Sequence, residues 1–242
     1  MNKWEKREEE DRYIMERMHP AVMIPGFFIG SWWLQVVYLK DLWVGSMNVF
    51  YVDKHPVRAA EQMCDKHIVK MILESAQLLC TCHRVQDGTE YYGKTANGRK
   101  IKRWTHPNPN LEPLLYKAGW VKHPSTIWLF ESAYNYIWLY KHMMALNEEY
   151  KKRYNHTKNH VTIDKLGEVL KFPPNNAKYN KIATDPKPAM PEYCKVDGDA
   201  VASYRNYYIM EKKRFATWKS PAKMPEWFKE GKIYGNEEEQ YI

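Results

Sequence analysis

Cysteine and glycine are scarce in this sequence of 242 residues, which contains four cysteines and 11 glycines. So few cysteines do not make a disulfide framework, and they favour a reducing compartment. The glycines form neither a Gly-x4-Gly-Lys-Ser/Thr loop nor a Gly-x-Gly-x-x-Gly turn, which excludes the common nucleotide-binding loops. The sequence also lacks His-Glu-x-x-His and Gly-x-Ser-x-Gly, so a zinc-protease helix and a serine-hydrolase elbow are excluded.

Aromatic and basic residues, by contrast, are abundant. The chain has 18 tyrosines and 10 tryptophans, and its formal net charge is +8. Aromatic rings stack on bases and a basic surface attracts phosphates, so this composition favours a nucleic-acid partner. The hydrophobic fraction of 44% is that of an ordinary globular protein and excludes wholesale disorder.

Residues 1–46 differ in character from the rest of the chain. The first 20 residues are highly charged, and the 19 residues from 21 to 39 carry no charge. That length is just enough to cross a bilayer. Pro25 and Gly26 weaken a membrane helix, however, so a packed or interfacial segment is the preferred interpretation of residues 21–39. A membrane span there is the disfavoured alternative.

A third interpretation concerns the start of the protein. Met47 opens Met-Asn-Val-Phe-Tyr-Val-Asp, which reads as a natural first strand. Six basic and seven acidic residues precede Met47, whereas 31 basic and 22 acidic residues lie from Met47 onward, so all of the positive excess follows Met47. We therefore predict an N-terminal extension over residues 1–46 and a single helical domain over residues 47–242. The oligomeric state is left open.

The pattern after Met47 is mainly helical. The predicted fold class is a compact, mainly α domain with three long helices, loop-rich insertions and at most a short N-terminal strand or hairpin. Proline at a first helical position, turn dipeptides and the spacing of apolar residues set the expected bounds. These are an extended entry over 48–52, long helices over 57–84 and 124–154, a short helix over 162–170, a hairpin at Asn97-Gly98, and a surface wrap over 172–196. A third long helix is predicted to run to 218, with Asp197 or Asp199 as its cap.

The first long helix carries the most informative group of side chains. His67, Lys70 and Glu74 are spaced by three and four residues, so they share one face of a helix. A histidine, a lysine and a carboxylate together can perform acid–base or imine chemistry. We take these three residues as the candidate catalytic group. The structural alternative is a solvated helix face with an ordinary Lys–Glu pair.

Two further features point to an anionic ligand. Basic residues beside aromatic ones indicate phosphate contacts, and a histidine at a helix N-terminus can contribute to an anion site. The predicted nucleic-acid contacts are Lys100, Lys102, Arg103, His123, Arg205 and Lys212. Cys80-Thr-Cys82-His83 lacks a second pair of ligands, so it is read as buried thiols at a helix end. No metal and no cofactor are predicted.

Three blocks of the sequence resemble one family, in the same order. Asp65-x-His67-Ile-Val-x-x-x-x-Glu74 is similar to the Asp-Gln-His-Leu-(Leu/Met)-Ala-Glu-x-Arg-Glu stretch of pyrimidine-dimer DNA glycosylases, the phage endonuclease V family. His123-Pro-Ser-Thr-Ile-Trp and the aromatic helix after it resemble that family's Gly-His-Val segment and its following helix. Lys223-Met-Pro-Glu-Trp-Phe, with Gly231-Lys, resembles its C-terminal block. The start at Met47 also resembles a set of phage proteins beginning Met-Asn-Ile/Val-Phe-Tyr.

The resemblance implies a compact all-α DNA repair or modification enzyme, a hydrolase, in the cytoplasm (that of the host cell if a phage encodes it). The family attacks the sugar C1′ of a damaged thymine with its N-terminal α-amine, forms an imine and uses a glutamate. Glu74 matches that glutamate, and His67 would be a base or a phosphate contact. The sequence departs from the family at Asn48, where the family has a threonine. Lys70 is therefore an alternative amine.

Two functions follow from these observations. The first is a DNA-acting enzyme of glycosylase or base-modifying type, which binds phosphates through a basic face and a pyrimidine in an aromatic pocket. The second is a non-catalytic module that binds nucleic acid or a phage or host protein. The two differ in one respect that can be measured. An enzyme requires Glu74 for activity, whereas a module requires only its basic residues for binding.

Overall fold

The computed structural model of the protein describes residues 47–177, 180 and 182–235. The predictions for residues 1–46, including the uncharged stretch over 21–39, lie outside the described residues. Among those that are described, no helix is both long and apolar enough to cross a membrane.

The described chain is mainly helical, which confirms the mainly α character of the predicted fold class. Its one sheet among these residues is a two-stranded hairpin. In chain order the elements are α1 (Pro56–Gln62), α2 (Asp65–Asp87), β1 (Thr89–Lys94), β2 (Lys100–Thr105), α3 (Pro124–Glu131), α4 (Ala133–Tyr154), α5 (Val161–Leu166), a 3-10 turn (Glu192–Cys194), α6 (Ala200–Tyr207), a π-helical turn (Tyr208–Lys212) and α7 (Glu226–Glu230).

The first long helix is interrupted near its start, where a continuous helix was predicted. Met63 and Cys64 adopt extended backbone angles between α1 and α2. The guanidinium of Arg153 donates to the carbonyls of Glu61 and Met63 at 2.8 and 2.7 Å. These carbonyls are thus partnered by a side chain outside the helix. The local sequence gives no sign of the break because Arg153 is distant in the chain.

The second long helix is also divided, at Ser132. The backbone of Ser132 is extended, with φ −152° and ψ 138°, and its side chain accepts from the N–H of Tyr134 to cap α4. Ser132 also forms an isolated parallel bridge with Asn180. The predicted end at Tyr154 is confirmed, and Asn155 closes α4 in the left-handed conformation.

The remaining elements follow the predictions in part. β1 and β2 pair antiparallel, with Thr89 opposite Thr105, on either side of the predicted turn, where Gly98 has φ +75°. The third predicted long helix is shorter, because α6 gives way to the π-helical turn after Tyr207. Asp199 caps α6, as one of the two predicted caps.

The core lies between α2 and α4. Residues 47–52 run through this core as buried chain without strand pairing. Val49, Val52, Ile68 and Leu139 are all fully buried there. The segment of the sequence that begins at Met47 is therefore packed directly against the helix that carries the candidate catalytic group.

Candidate active site

Glu74 lies in the middle of α2, and its two carboxylate oxygens have different surroundings. Its Oε1 lies 3.0 Å from the Nζ atom of Lys70, one helical turn earlier. Its Oε2 is buried and has no hydrogen-bond partner among the described residues. Burial raises the pKa of Glu74 above its usual value, while Lys70 and a backbone hydrogen bond from Asn48 act against that rise. Burial therefore favours the protonated form of Glu74 more than it is favoured in a solvated glutamate.

The backbone of Asn48 lies near the same carboxylate and lowers the pKa of Glu74. Asn48 is fully buried, and its side chain makes three hydrogen bonds. Its Oδ1 accepts from the N–H groups of Val49 and Phe50 at 2.8 and 3.2 Å, and its Nδ2 donates to the carbonyl of Ala189 at 3.0 Å. The residue therefore has a fixed position beside Glu74.

His67 lies in the core one turn before Lys70. Its ring stacks on Phe50 with 4.2 Å between centroids, and its Nδ1 is 2.5 Å from the hydroxyl of Tyr208. Burial, assisted by the positive charges of Lys70 and Lys212, lowers the pKa of His67 to about 3. The imidazole is therefore neutral at pH 7. The role as a base or phosphate contact stays a prediction, and the contacts with Phe50 and Tyr208 favour a positioning role.

Three predicted nucleic-acid contacts lie together on the hairpin. Lys100 and Lys102 sit over the ring of Tyr92, with Nζ 4.0 and 5.9 Å from the centroid. The Tyr92 ring itself is exposed. Arg103 lies opposite Tyr91, which is exposed as well. The hairpin thus presents cations beside exposed tyrosine rings.

The other three predicted contacts are separate from the hairpin in the sequence and differ in their surroundings. His123 caps α3 by accepting from the N–H of Ser125, and burial lowers its pKa. Arg205 donates to the carbonyl of Val52 at 3.0 Å and borders a cavity of about 370 Å³ that Lys54 and Arg58 also line. Lys212 donates to the hydroxyl of Tyr207 at 2.9 Å.

The tryptophans of α3 and α4 are used for packing. Trp128 donates to the carbonyl of Thr184 at 2.7 Å, and Trp138 donates to the carbonyl of Lys54 at 2.7 Å. Trp138 also stacks on His142, whose ring is buried. A cavity of about 760 Å³ between α1 and α4 has Tyr140 in its wall, but Glu74 does not line it.

A second group of ligand-type side chains lies at the C-terminal end of α2. One nitrogen each of His83 and His106 and one oxygen of Asp87 lie within 4.8 Å of one another. Among the described residues this is the group with the composition to hold a metal ion. The sequence analysis does not predict this group, because Asp87 and His106 are far apart in the chain and only the pairing of β1 with β2 brings them together. The available signal was the spacing of four between His83 and Asp87.

Cys80 and Cys82 lie nearby in the sequence but not in this group. Both thiols are free and fully buried, and burial raises the pKa of Cys80 to about 12 and that of Cys82 further. They behave as small apolar side chains of α2, in line with the interpretation made from the sequence.

One family model matches part of this chain. Residues 47–162 match the family model described as pyrimidine dimer DNA glycosylase. Neither the curated proteins nor the solved structures contain a match to this chain. The matched range includes Asn48, His67, Lys70 and Glu74, whereas Arg205 and Lys212 lie beyond it. Over residues 47–162 this chain therefore resembles the pyrimidine dimer DNA glycosylase family.

Proposed function

We propose that the protein is a DNA glycosylase that forms an imine with the sugar of a damaged pyrimidine nucleotide. The observation that carries the proposal is the surroundings of Glu74, which lies within the matched range. A lysine amine is 3.0 Å from one carboxylate oxygen, and the second oxygen is buried without a partner among the described residues. An amine and a proton-exchanging carboxyl group in contact are the two groups that this chemistry needs.

The reaction has two steps. Glu74 first takes one proton from the Lys70 ammonium. The nitrogen then bonds to C1′ as the bond from C1′ to the base breaks, and the base leaves with a second nitrogen proton. In the second step the sugar ring opens at O4′ as the carbon–nitrogen double bond forms. Glu74 delivers its proton to O4′ and takes the last nitrogen proton. The raised pKa of Glu74 suits a group that must both accept and release a proton.

Two nitrogens border Glu74, and they are alternative nucleophiles. Lys70 carries a primary amine on a side chain that is 37% exposed. The nitrogen of Asn48 is an amide in the full chain, and it becomes a primary amine only in a chain that begins at Asn48. An amide is not a nucleophile at neutral pH, so in the full chain we assign the reaction to Lys70.

Phosphate binding is assigned to the basic hairpin, in which Lys100, Lys102 and the exposed ring of Tyr92 lie on one face, and Arg103 and the exposed ring of Tyr91 lie on the other. Cations neutralise phosphates, and exposed aromatic rings stack on bases. His123, Arg205 and Lys212 are proposed as additional phosphate contacts, and a pyrimidine is proposed to bind against aromatic side chains after it leaves the base stack.

Borohydride trapping tests the proposal. The full chain is incubated with DNA that carries ultraviolet-induced dimers or abasic sites, and borohydride reduces any imine to a stable protein–DNA adduct. The matched variants are Lys70→Ala, Lys70→Arg and Lys66→Ala. Arginine keeps a positive charge beside Glu74 but has no primary amine, and Lys66 is an exposed lysine one turn away.

The expected result is an adduct that both Lys70 variants abolish and Lys66→Ala retains. An adduct that forms only in a chain beginning at Met47, after removal of that methionine, would assign the reaction to the amine of Asn48. No adduct and no base release from either chain would reject an imine-forming glycosylase.

A non-catalytic nucleic-acid-binding module is the second candidate. It is favoured by one observation, namely that the cavities of about 760 and 370 Å³ both lie away from Glu74. Binding that is tight and sensitive to salt, without base release and unchanged in Glu74→Gln, would support the module over the enzyme.

A further inference from the structure

We propose that His83, Asp87 and His106 bind one Zn²⁺ ion, which ties the end of α2 to the base of the hairpin. This site is separate from Glu74. His83 lies nine residues after Glu74 in the sequence, which is two and a half turns of helix and therefore the opposite face of α2. The inference goes beyond the proposed function and does not depend on it.

The fold itself brings the three side chains together. His83 and Asp87 are one turn apart on α2, so they share a face. The hairpin leaves α2 directly after Gly88 and returns at Thr105, because Thr89 pairs with Thr105. A Cβ atom at Gly88 would lie 2.3 Å from the carbonyl oxygen of Arg84, so glycine allows this close approach. His106 is consequently placed against Asp87.

The three ligand atoms face one another in a buried space. The Oδ2 atom of Asp87 is 4.0 Å from Nδ1 of His83 and 3.7 Å from Nε2 of His106. The three side chains are only 4–6% exposed. Both nitrogens are buried, and neither has a hydrogen-bond partner among the described residues. Buried polar atoms are nearly always partnered, so two such nitrogens around one carboxylate point to a cation-binding site.

The hydrogen bonds around His83 fix its tautomer. The hydroxyl of Tyr136 donates to the carbonyl of Leu170 at 3.0 Å, so it must accept from Nε2 of His83, which is 2.9 Å away. The neutral ring then carries its proton on Nε2, and the lone pair of Nδ1 is directed at the Asp87 carboxylate. Two electron-rich atoms at this separation repel each other, and a cation between them converts the repulsion into coordination.

The surrounding groups hold Asp87 in place, whereas His106 must change its tautomer to bind the metal. The N–H groups of Asn175 and Asn176 donate to Asp87 at 3.1 and 2.7 Å, which holds the carboxylate in place. Nδ1 of His106 accepts from the N–H of Asn108 at 3.1 Å. When Nε2 of His106 coordinates the metal, the ring proton moves to Nδ1. Nδ1 can then no longer accept from Asn108, and that hydrogen bond is replaced by the bond to the metal.

The donor set selects the ion. Two imidazoles and one carboxylate suit Zn²⁺, whereas Mg²⁺ and Ca²⁺ prefer oxygen ligands alone. Zinc–ligand bonds of about 2.0–2.1 Å in a tetrahedral site place the ligand atoms roughly 3.3 Å apart. The separations of 3.7 and 4.0 Å must therefore close by roughly 0.4 and 0.7 Å. The two nitrogens lie within 4.8 Å of each other and must close by at most roughly 1.5 Å. The site needs small side-chain movements and no change of fold.

Zinc titration of the full chain tests this proposal. The purified protein is treated with a chelator, dialysed and titrated with Zn²⁺ in a calorimeter. We expect one Zn²⁺ per chain and a higher thermal midpoint with the ion bound. His106→Gln and Asp87→Asn should weaken binding at least tenfold, while His156→Gln, which changes an exposed histidine outside the group, should bind as the natural chain does. Weak, non-stoichiometric binding, or unchanged affinity in both variants, would overturn the proposal.

Zinc-edge X-ray absorption of the unaltered chain gives a measurement that does not depend on variants folding. Two imidazole nitrogens with oxygen ligands and no sulfur are expected. A sulfur shell would place the ion on the cysteines instead and would overturn the assignment.

Discussion

Two carboxylates of the same helix, Asp65 and Glu74, have opposite surroundings. Asp65 accepts from Arg153 at 3.2 Å and from the N–H of Lys219 at 3.0 Å with one oxygen, and from the hydroxyl of Thr217 at 3.0 Å with the other. Glu74 has one ion pair with Lys70 and one buried oxygen without a partner among the described residues. Both oxygens of Asp65 have hydrogen-bond partners, whereas one oxygen of Glu74 can still bind a ligand.

The difference separates groups that hold the fold from groups that are available for chemistry. A buried charge is expensive unless its hydrogen bonds are satisfied, and Asp65 meets that condition through side chains from distant parts of the chain. A carboxylate left incomplete has a raised pKa and can exchange a proton, as Glu74 can. The motif shared with the glycosylase family contains both residues, so resemblance alone does not distinguish their roles.

The largest effect is expected when Asp65 loses its arginine partner. Arg153→Met removes a guanidinium whose side chain is 0% exposed and leaves Asp65 and Glu149 buried without it. We expect the free energy of unfolding to fall by about 3–5 kcal/mol in urea denaturation. Lys152→Met is the matched control, because Lys152 pairs with the same Glu149 from a side chain that is 52% exposed. The control should change stability by less than about 1 kcal/mol, and equal losses in both variants would contradict the contrast between the two cations.

The second-largest expected effect is on DNA binding and not on catalysis. Changing Lys100, Lys102 and Arg103 together to glutamine should weaken DNA binding by roughly 10- to 100-fold near physiological salt and reduce the slope of log K against log salt by about 3 for duplex DNA. The control changes Lys158, Lys171 and Lys187, three exposed lysines outside the hairpin, by the same net charge. Fluorescence anisotropy across a salt series measures both quantities. Equal losses in the two triple variants would show that DNA binding depends on net charge and not on the basic hairpin.

The smallest effect is a dependence of stability on pH. Burial lowers the pKa of His67 to about 3 and that of His142 to about 4. Below about pH 6.5 these two histidines are protonated in the unfolded chain but stay neutral in the folded one. Their contribution to the free energy of unfolding is therefore complete above that pH and is lost as the pH falls toward 4. The loss is on the order of 1 kcal/mol per histidine per pH unit. Urea midpoints at pH 7, 6 and 5 measure it, and His142→Gln should show a shallower decline than the natural chain.

Glu74 contributes to the same curve with the opposite sign. Its folded pKa is raised, so its contribution to stability is complete below its unfolded pKa and is lost as the pH rises through its folded pKa. At neutral pH the Glu74→Gln variant should therefore be as stable as the natural chain or more stable. A clear loss of stability in this variant would place Glu74 with Asp65 among the groups that hold the fold.

Local patterns in the sequence predict the fold where local interactions decide it. Proline at the starts of α1 and α3, the hairpin turn at Gly98 and the Asp199 cap are all short-range signals, and the structure confirms them. The breaks at Met63 and Ser132 depend on Arg153 and on pairing with Asn180, which no local pattern contains. The early end of α6 in a π-helical turn has no evident local cause either.

The candidate site shows the same division. Helical spacing places Lys70 beside Glu74, as the contact of 3.0 Å shows. Spacing also placed His67 on that ridge, but its partners Phe50 and Tyr208 come from the entry segment and from beyond α6, so the histidine belongs to the core. The proximity of Asp87 to His106 depends on the register of the hairpin, which the turn signal alone does not give.

The most direct test of the central claim is the release of pyrimidine-dimer bases by the full chain and by Glu74→Gln, measured in single turnovers beside the urea midpoint of each protein. The account predicts a rate that falls by roughly 10²–10⁴-fold in the variant, with an unchanged or higher urea midpoint. A variant that releases the base as fast as the natural chain, or that loses activity only because it unfolds, would contradict the assignment of Glu74 to the chemistry.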